Sequence, residues 1–238
     1  MRMNMMRKWW TTIFLIDMMI GLLLFCTFGA KRAEQEAMEG WAKGALPQYQ
    51  ESDERVKIAL TFDDGPHPYY TEQLLDVLKE RGVHATFFVT GEHAKLHPDI
   101  IERMQEEGHM IGNHTYSHIQ LKKSNREEFK EELIKTNEVI KEITGNEVLY
   151  VRPPYGSWDK SFESELNMFP VLWTVDPLDW CSSNAACVVK RVVEKAEEND
   201  IILMHDYYES SVTAALEVVD ELMKEGFSFV TVEEILFD

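Results

Sequence analysis

The chain has 238 residues, 45% hydrophobic and 11% aromatic, with 24 Lys and Arg against 42 Asp and Glu. That length suits one globular domain with an appendage and is too short for two ordinary enzymes, while the apolar content excludes a disordered or collagen-like chain. The net charge of −18 excludes a phosphate-tracking nucleic-acid binder, which needs a basic surface to displace counterions, but leaves a neutral sugar polymer open as a ligand.

The acidity is unevenly spread. Met1 to Arg32 carries Arg2, Arg7, Lys8, Lys31 and Arg32 against Asp17 alone, a net of +4, so the remainder carries −22. Residues 1–10 read as a cytoplasmic N-terminus. Thr11 to Ala30 is a 20-residue apolar run with Asp17 its one charge, enough helix to cross a bilayer. An Asp near mid-span costs about 2.5–3.5 kcal/mol, which the run's Ile, Leu and Phe residues, at about −0.3 to −0.6 kcal/mol each, outweigh. The basic leading flank puts the body of the protein outside the cell, as a single-pass cell-membrane protein, and Trp9 and Trp10 suit the interface. A cleaved signal peptide is the rival reading. Phe28 and Ala30 make a poor cleavage site, so the uncleaved anchor is preferred.

Residues 31–55, with Gly40, Gly44 and Pro47 and no periodic pattern, read as a linker, and the domain proper runs over 56–238. There, short apolar runs alternate with amphipathic segments: VKIALTF then TEQLLDVLKERG, HATFFV then PDIIERMQEEG, and MIGNH then a long helix. That helix is expected to open on a capping box of Ser124 and Glu127, carry Phe129, Leu133, Asn137 and Ile140 on one face, and stop at Gly145. VLYV, VLWTV, DIILM and FSFVT complete seven strand candidates, with helices opening near Asn184 and Ser210. Such alternation predicts an α/β fold with a parallel sheet and right-handed crossovers. Cys26 lies in the apolar run; Cys181 and Cys187 stand as either a small-loop disulfide or two thiols.

Unusual polar residues gather where the strands end. Asp63 and Asp64 follow the first strand, His114 the third, Arg152 the fourth, Asp176 and Asp179 the fifth, and His205 the sixth. The carboxyl ends of strands are where barrel and open α/β enzymes keep their chemistry. TFDDGP alone reads more readily as a turn than as a site. Its adjacent side chains diverge, so one carboxylate can bind a metal while the other acts as a base. HTYSH supplies His114 and His118 at i, i+4, expected on one face of a helical turn, and with Asp64 they make a His, His, Asp set of the kind found in catalytic zinc sites. RPPYG, DPLDW and ILMHD, each singly a loop, complete five such elements at five strand ends.

In that order, TFDDGP, HTYSH, RPPYG, DPLDW and LMH resemble the five motifs of the polysaccharide deacetylase family, the NodB-homology domains of carbohydrate esterase family 4. The resemblance spans Val56 to Asp238 and implies a distorted (β/α) barrel of about seven parallel strands. It implies that Asp64, His114 and His118 hold a divalent metal, zinc first and cobalt as the alternative. Asp63 would be the general base and His205 the general acid, with Arg152 bracing Asp63 and Asp179 orienting His205. The Tyr155 N–H would help hold the oxyanion, and Pro154, Tyr155, Trp180 and Leu203 would contact substrate. The implied activity is metal-dependent hydrolysis of N-acetyl groups from an extracellular N-acetylglucosamine polymer, peptidoglycan for a Gram-positive host. Chitin oligomers, O-acetylated xylan and a non-catalytic carbohydrate-binding module are the alternatives. An acetylated glycan and, through the N-terminal helix, the membrane are the expected partners; none of protein is inferred.

Overall fold

The computed structural model describes residues 56–237. The cytoplasmic start, the membrane span at 11–30 and the linker expected before Val56 lie outside the described residues. Among those described, no helix is long and apolar enough to cross a membrane.

Strand β1 (Val56–Asp63) is the hub of a seven-stranded, wholly parallel sheet. Its last six residues are buried, as expected for a strand covered on both faces. Around it stand β2 (Thr86–Val89), β3 (Met110–Asn113), β4 (Tyr150–Val151), β5 (Phe169–Pro170), β6 (Ile201–His205) and β7 (Phe227–Val230), and the sheet order runs β5-β4-β3-β2-β1-β6. Strand β7 pairs with the first half of β1, Val56–Ala59, and β6 with the second half, Ala59–Asp63. Beyond β5 the chain curls back, and Val175 bridges Ile202 of β6, with Leu203 N–H donating to the Val175 carbonyl at 2.9 Å. The architecture is therefore a parallel-strand α/β half-barrel, consistent with a (β/α) barrel.

The expected fifth strand, VLWTV at 171–175, does not form as one element. The chain pairs with β4 as far as the Val171 N–H, and only Thr174 and Val175 meet β6. Between them the carbonyls of Val171 and Leu172 accept from the Arg152 side chain, at 3.2 and 3.3 Å, instead of from a neighbouring strand.

Helices α1 (Tyr70–Arg81), α2 (Gly91–Leu96), α3 (Pro98–Glu106), α4 (Arg126–Thr144), α5 (Ser161–Leu166), α6 (Ala185–Val193), α7 (Glu209–Lys224) and α8 (Val232–Phe237) complete the described elements, with short 3₁₀ turns at Pro154–Gly156 and Asp179–Cys181. Helix α4 buries Phe129, Leu133, Thr136 and Ile140 and ends at Gly145, whose φ of 74° is the left-handed conformation that glycine adopts without a Cβ clash. Each buried Phe, Leu or Ile contributes about 1.5–3 kcal/mol relative to exposure. The cap differs from expectation. Asn125, not Ser124, precedes the helix, and its side chain ties the incoming loop to Lys122 and Gln120 rather than capping. Asn184 does cap α6, accepting from Cys187 N–H at 3.2 Å. Cys181 and Cys187 are exposed, free thiols, so the bridged alternative is not formed.

Candidate active site

Asp63 is the last residue of β1, and its register partner across the β1–β6 pair is His205. The pleat and register of two parallel strands thus bring a carboxylate and an imidazole to one end of the sheet. Arg152, fully buried, donates from Nη1 to Asp63 Oδ1 at 2.8 Å and to Thr61 Oγ1 at 2.6 Å, with its guanidinium 4.2 Å over the Phe88 ring. Burial works against that cation and lowers its pKa, with Asp63 opposing the shift.

Asp64 has a left-handed backbone, with φ 75°, and its carboxylate and that of Asp63 both approach His114 Nε2, at 3.4 and 3.8 Å. His93 Nδ1 lies 2.8 Å from the Asp64 carbonyl oxygen and must donate to it. Gly65 follows under a tight constraint: a Cβ there would lie 2.3 Å from Asp206 Oδ2. Asp206 is itself buried, accepts from Thr71 Oγ1 at 2.5 Å, and is pushed by burial to a pKa of about 7.

His114 and His118 reach Asp64 by a route the sequence did not suggest. The segment is not helical. Thr115 and His118 take left-handed φ values of 63° and 57°, and this bent loop brings the rings to 4.9 Å between centroids. Their Nε2 atoms lie 3.4 and 3.3 Å from Asp64 Oδ1.

These atoms form a site suited to a metal ion. His114 Nδ1 donates to the Arg152 carbonyl at 2.6 Å, so in the neutral ring Nε2 carries the lone pair and faces a carboxylate oxygen. Two electron-rich groups so placed repel unless a cation or proton lies between them. Asp64 Oδ1 is buried without a hydrogen-bond partner among the described residues, and one ligand atom from each of the three side chains falls within 4.8 Å of the others. Burial would raise the Asp64 carboxyl, but a proton on His114 Nε2 hydrogen-bonding to it, with the positive charge of His114, His118 and His205 when protonated, outweighs burial and holds the pKa at about 2. Burial also lowers His118, with the Asp64 carboxylate partly opposing. Carboxylate and neutral imidazole are the ligand forms.

Across the site, His205 Nδ1 lies 2.9 Å from Asp179 Oδ1. Burial disfavours its charge, yet the Asp179 hydrogen bond and charge, aided by Asp63 and Asp64, raise its pKa to about 9. His205 is therefore an imidazolium at neutral pH, with Nε2 without a partner among the described residues.

Asp63, Asp64, His114, His118 and His205 all line one cavity of about 480 Å³. Tyr155, Trp180 and Leu203 line it as expected; Pro154 is buried and does not, its place being taken by Pro153. Arg152 and Asp179 stand behind the lining. Tyr155 has φ 60°, and its N–H bonds no acceptor among the described residues, whereas those of Gly156 and Ser157 bond the carbonyls of Pro153 and Pro154. Trp173, Asp176 and Tyr208 also line the cavity. Asp176 carried a signal, its place after a strand. Tyr208 carried none, since it begins a helix.

Fold and site together define a hydrolase-type α/β domain in which two imidazoles and a carboxylate that could hold a metal ion stand beside a braced carboxylate and a charged imidazole. The polysaccharide deacetylase family model matches residues 50–171, and the chain belongs to that family. Among curated relatives it is 40% identical over 192 residues to the peptidoglycan-N-acetylmuramic acid deacetylase PdaC of Bacillus subtilis, covering 80% of this chain and 41% of that one. It is 38% identical over 184 residues to a peptidoglycan-N-acetylglucosamine deacetylase of Bacillus cereus, covering 74% and 67%. A chitooligosaccharide deacetylase of Rhizobium leguminosarum is 36% identical, covering 74% and 90%. The solved structure of Bacillus subtilis PdaC superposes with a TM-score of 0.75 at 40% identity, covering 77% of this chain and 91% of that one. The chain thus spans about two fifths of the length of the first of these relatives.

Proposed function

We propose that the protein hydrolyses N-acetyl groups from an N-acetylglucosamine-containing cell-wall glycan, releasing acetate. The observation that carries this reading is the convergence of Asp64, His114 and His118 in the cavity that Asp63 and His205 also line. The relatives named for peptidoglycan support the wall polymer as substrate over chitin oligomers or xylan.

Asp64, His114 and His118 would hold the metal, with zinc the first choice for a set of two imidazoles and one carboxylate. A bound divalent ion would polarise the acetyl carbonyl and lower the pKa of an attacking water. Asp63 keeps Oδ1 on Arg152 and takes the water's proton on Oδ2, which lies 3.8 Å from His114 Nε2. The Tyr155 N–H donates to the oxygen on which charge develops. His205 Nε2 donates a proton to the nitrogen as the C–N bond breaks, and Asp179 holds the ring for that transfer. Trp180 and Leu203 give the acetyl methyl an apolar wall. The proton taken by Asp63 and the one given by His205 balance, leaving a free amine and acetic acid, which ionises to acetate on release.

We place this domain outside the cell, tethered by the span at 11–30; the apolar run and its basic leading flank support that reading. A protein recovered from the medium with its N-terminus beyond Ala30 would overturn the tether. The activity is tested by acetate release from acetylated glycans, abolished by a chelator and restored by zinc. Release that survives full chelation would rule out the metal-dependent reading.

A further inference from the structure

A second groove opens next to the cavity. Lys122, Lys123, Arg126 and Lys160 line it together with Trp158 and Asp159. It begins at Leu121, three residues past His118, and at Ser157, two residues past Tyr155. A chain advances at most about 3.6 Å per residue, so these walls lie within about 11 Å and 7 Å of two residues of the cavity. Gln120 Nε2 donates to Ser157 Oγ at 3.4 Å and joins the walls.

The charge of this groove stands against that of the whole chain, which is −18. Five lysines elsewhere on the surface, Lys79, Lys130, Lys141, Lys190 and Lys224, each meet a carboxylate, and Lys135 lies over the Tyr116 ring. In the groove, Arg126 is engaged by Asp159 and Glu165, which leaves it a structural cation. Lys122, Lys123 and Lys160 are exposed and have no ion pair among the described residues. With Asp159 taken up by Arg126, three exposed ammonium groups leave the groove beside the active site with a positive excess. At physiological salt, screening over about 8 Å lets that local field prevail over the distant acidic surface. A neutral glycan gains nothing from this arrangement, whereas an anionic one is repelled elsewhere and attracted here.

We propose that this groove binds the carboxylates of peptides carried by the glycan strand, next to the sugar whose acetyl group enters the cavity. The proposal rests on the deacetylase reading of the cavity and narrows its substrate to a peptide-bearing polymer. Lysine suits the task, because a flexible point charge follows a mobile carboxylate without demanding one geometry.

The test compares three substrates of equal length on the full chain: a peptide-bearing wall oligomer, the same oligomer with its carboxylates amidated, and a neutral N-acetylglucosamine oligomer. The wild type should favour the first through a lower KM, and the preference should shrink as salt is raised. In the variant Lys122→Gln/Lys123→Gln/Lys160→Gln, KM for the first substrate should rise about fivefold to tenfold with kcat kept, the size expected of three screened ion pairs. Kinetics on the neutral oligomer should not move, which also reports that the variant is folded. An unchanged KM on the peptide-bearing oligomer overturns the proposal, as does a wild-type preference that survives amidation. Absence of acetate from all three substrates would instead sink the deacetylase reading, and the proposal with it.

Discussion

Asp179 grips His205 at two points: Oδ1 lies 2.9 Å from the ring Nδ1, and Oδ2 accepts the His205 backbone N–H at 2.9 Å. One buried carboxylate therefore favours the charged form of the ring and fixes its rotation at the end of β6. The 3₁₀ turn at Asp179–Cys181 is held against that strand by the same pair of bonds.

From this follows a pH prediction. His205 is protonated below a pKa of about 9, so activity should fall as pH rises through that value. A bound metal adds positive charge nearby and moves this limb lower. Asp179→Asn removes the charge that raises the pKa and should shift the alkaline limb of kcat/KM towards neutrality. His205→Ala should cost about 10²–10⁴-fold in kcat while retaining zinc. An acetate ester of a phenol, whose leaving group needs no proton, should be hurt much less. Equal slowing on both substrates, with zinc and fold intact, would show that His205 is not the acid.

The two adjacent aspartates should part under mutation. Asp63→Asn preserves shape but cannot take a proton, so the variant should bind zinc normally and lose most turnover. Asp64→Ala removes a ligand and should lose metal affinity. Metal analysis after dialysis decides the matter, and equal depletion in both variants would refute the division of labour.

Arg152 is an expected determinant of stability as well as of the site. Its guanidinium serves Asp63, Thr61 and the carbonyls of Val171 and Leu172, all from a fully buried position. Arg152→Met leaves Asp63 buried and uncompensated, and breaking such a pair costs about 3–5 kcal/mol. Denaturant melts should show a loss of unfolding free energy of that order; a variant as stable as wild type would mean that water replaces the guanidinium.

His109 should make the fold sensitive to acid. It is buried, accepts the Ala85 N–H on Nδ1, and burial, with His84 adding to it, lowers its pKa to about 4. The folded state thus binds the proton less readily than the unfolded chain, whose histidine titrates at about 6.5. Stability from this group is complete above about pH 6.5 and is lost as pH falls towards 4, by up to about 3 kcal/mol. His109→Gln, which cannot take the proton, should show a smaller loss between pH 7 and 5 than wild type. Parallel losses in the two proteins would clear His109.

The sequence by itself determined the alternation of strands and helices, and with it the parallel sheet, because apolar runs of strand length and amphipathic runs of helix length bury their surface in only a few arrangements. It also determined that Asp63, His114, Arg152 and His205 fall at strand ends, since a strand's last apolar residue marks its own end. Tertiary structure alone decided how those ends meet. That Asp63 and His205 are register partners depends on hydrogen bonds between strands separated by 137 residues in the chain. The bend that aims His114 and His118 at Asp64 comes from left-handed backbone at Thr115 and His118, residue types that give no local warning of it. Helical spacing named the two histidines that cluster with Asp64, but the segment that brings them together is not a helix. The breakup of the fifth strand lay outside local reading too, because a guanidinium from the fourth strand takes the carbonyls at Val171 and Leu172 that a ladder would have used. Periodicity reports what a segment buries, whereas a site depends on distances between segments, and those are set only when the whole sheet has closed around its core.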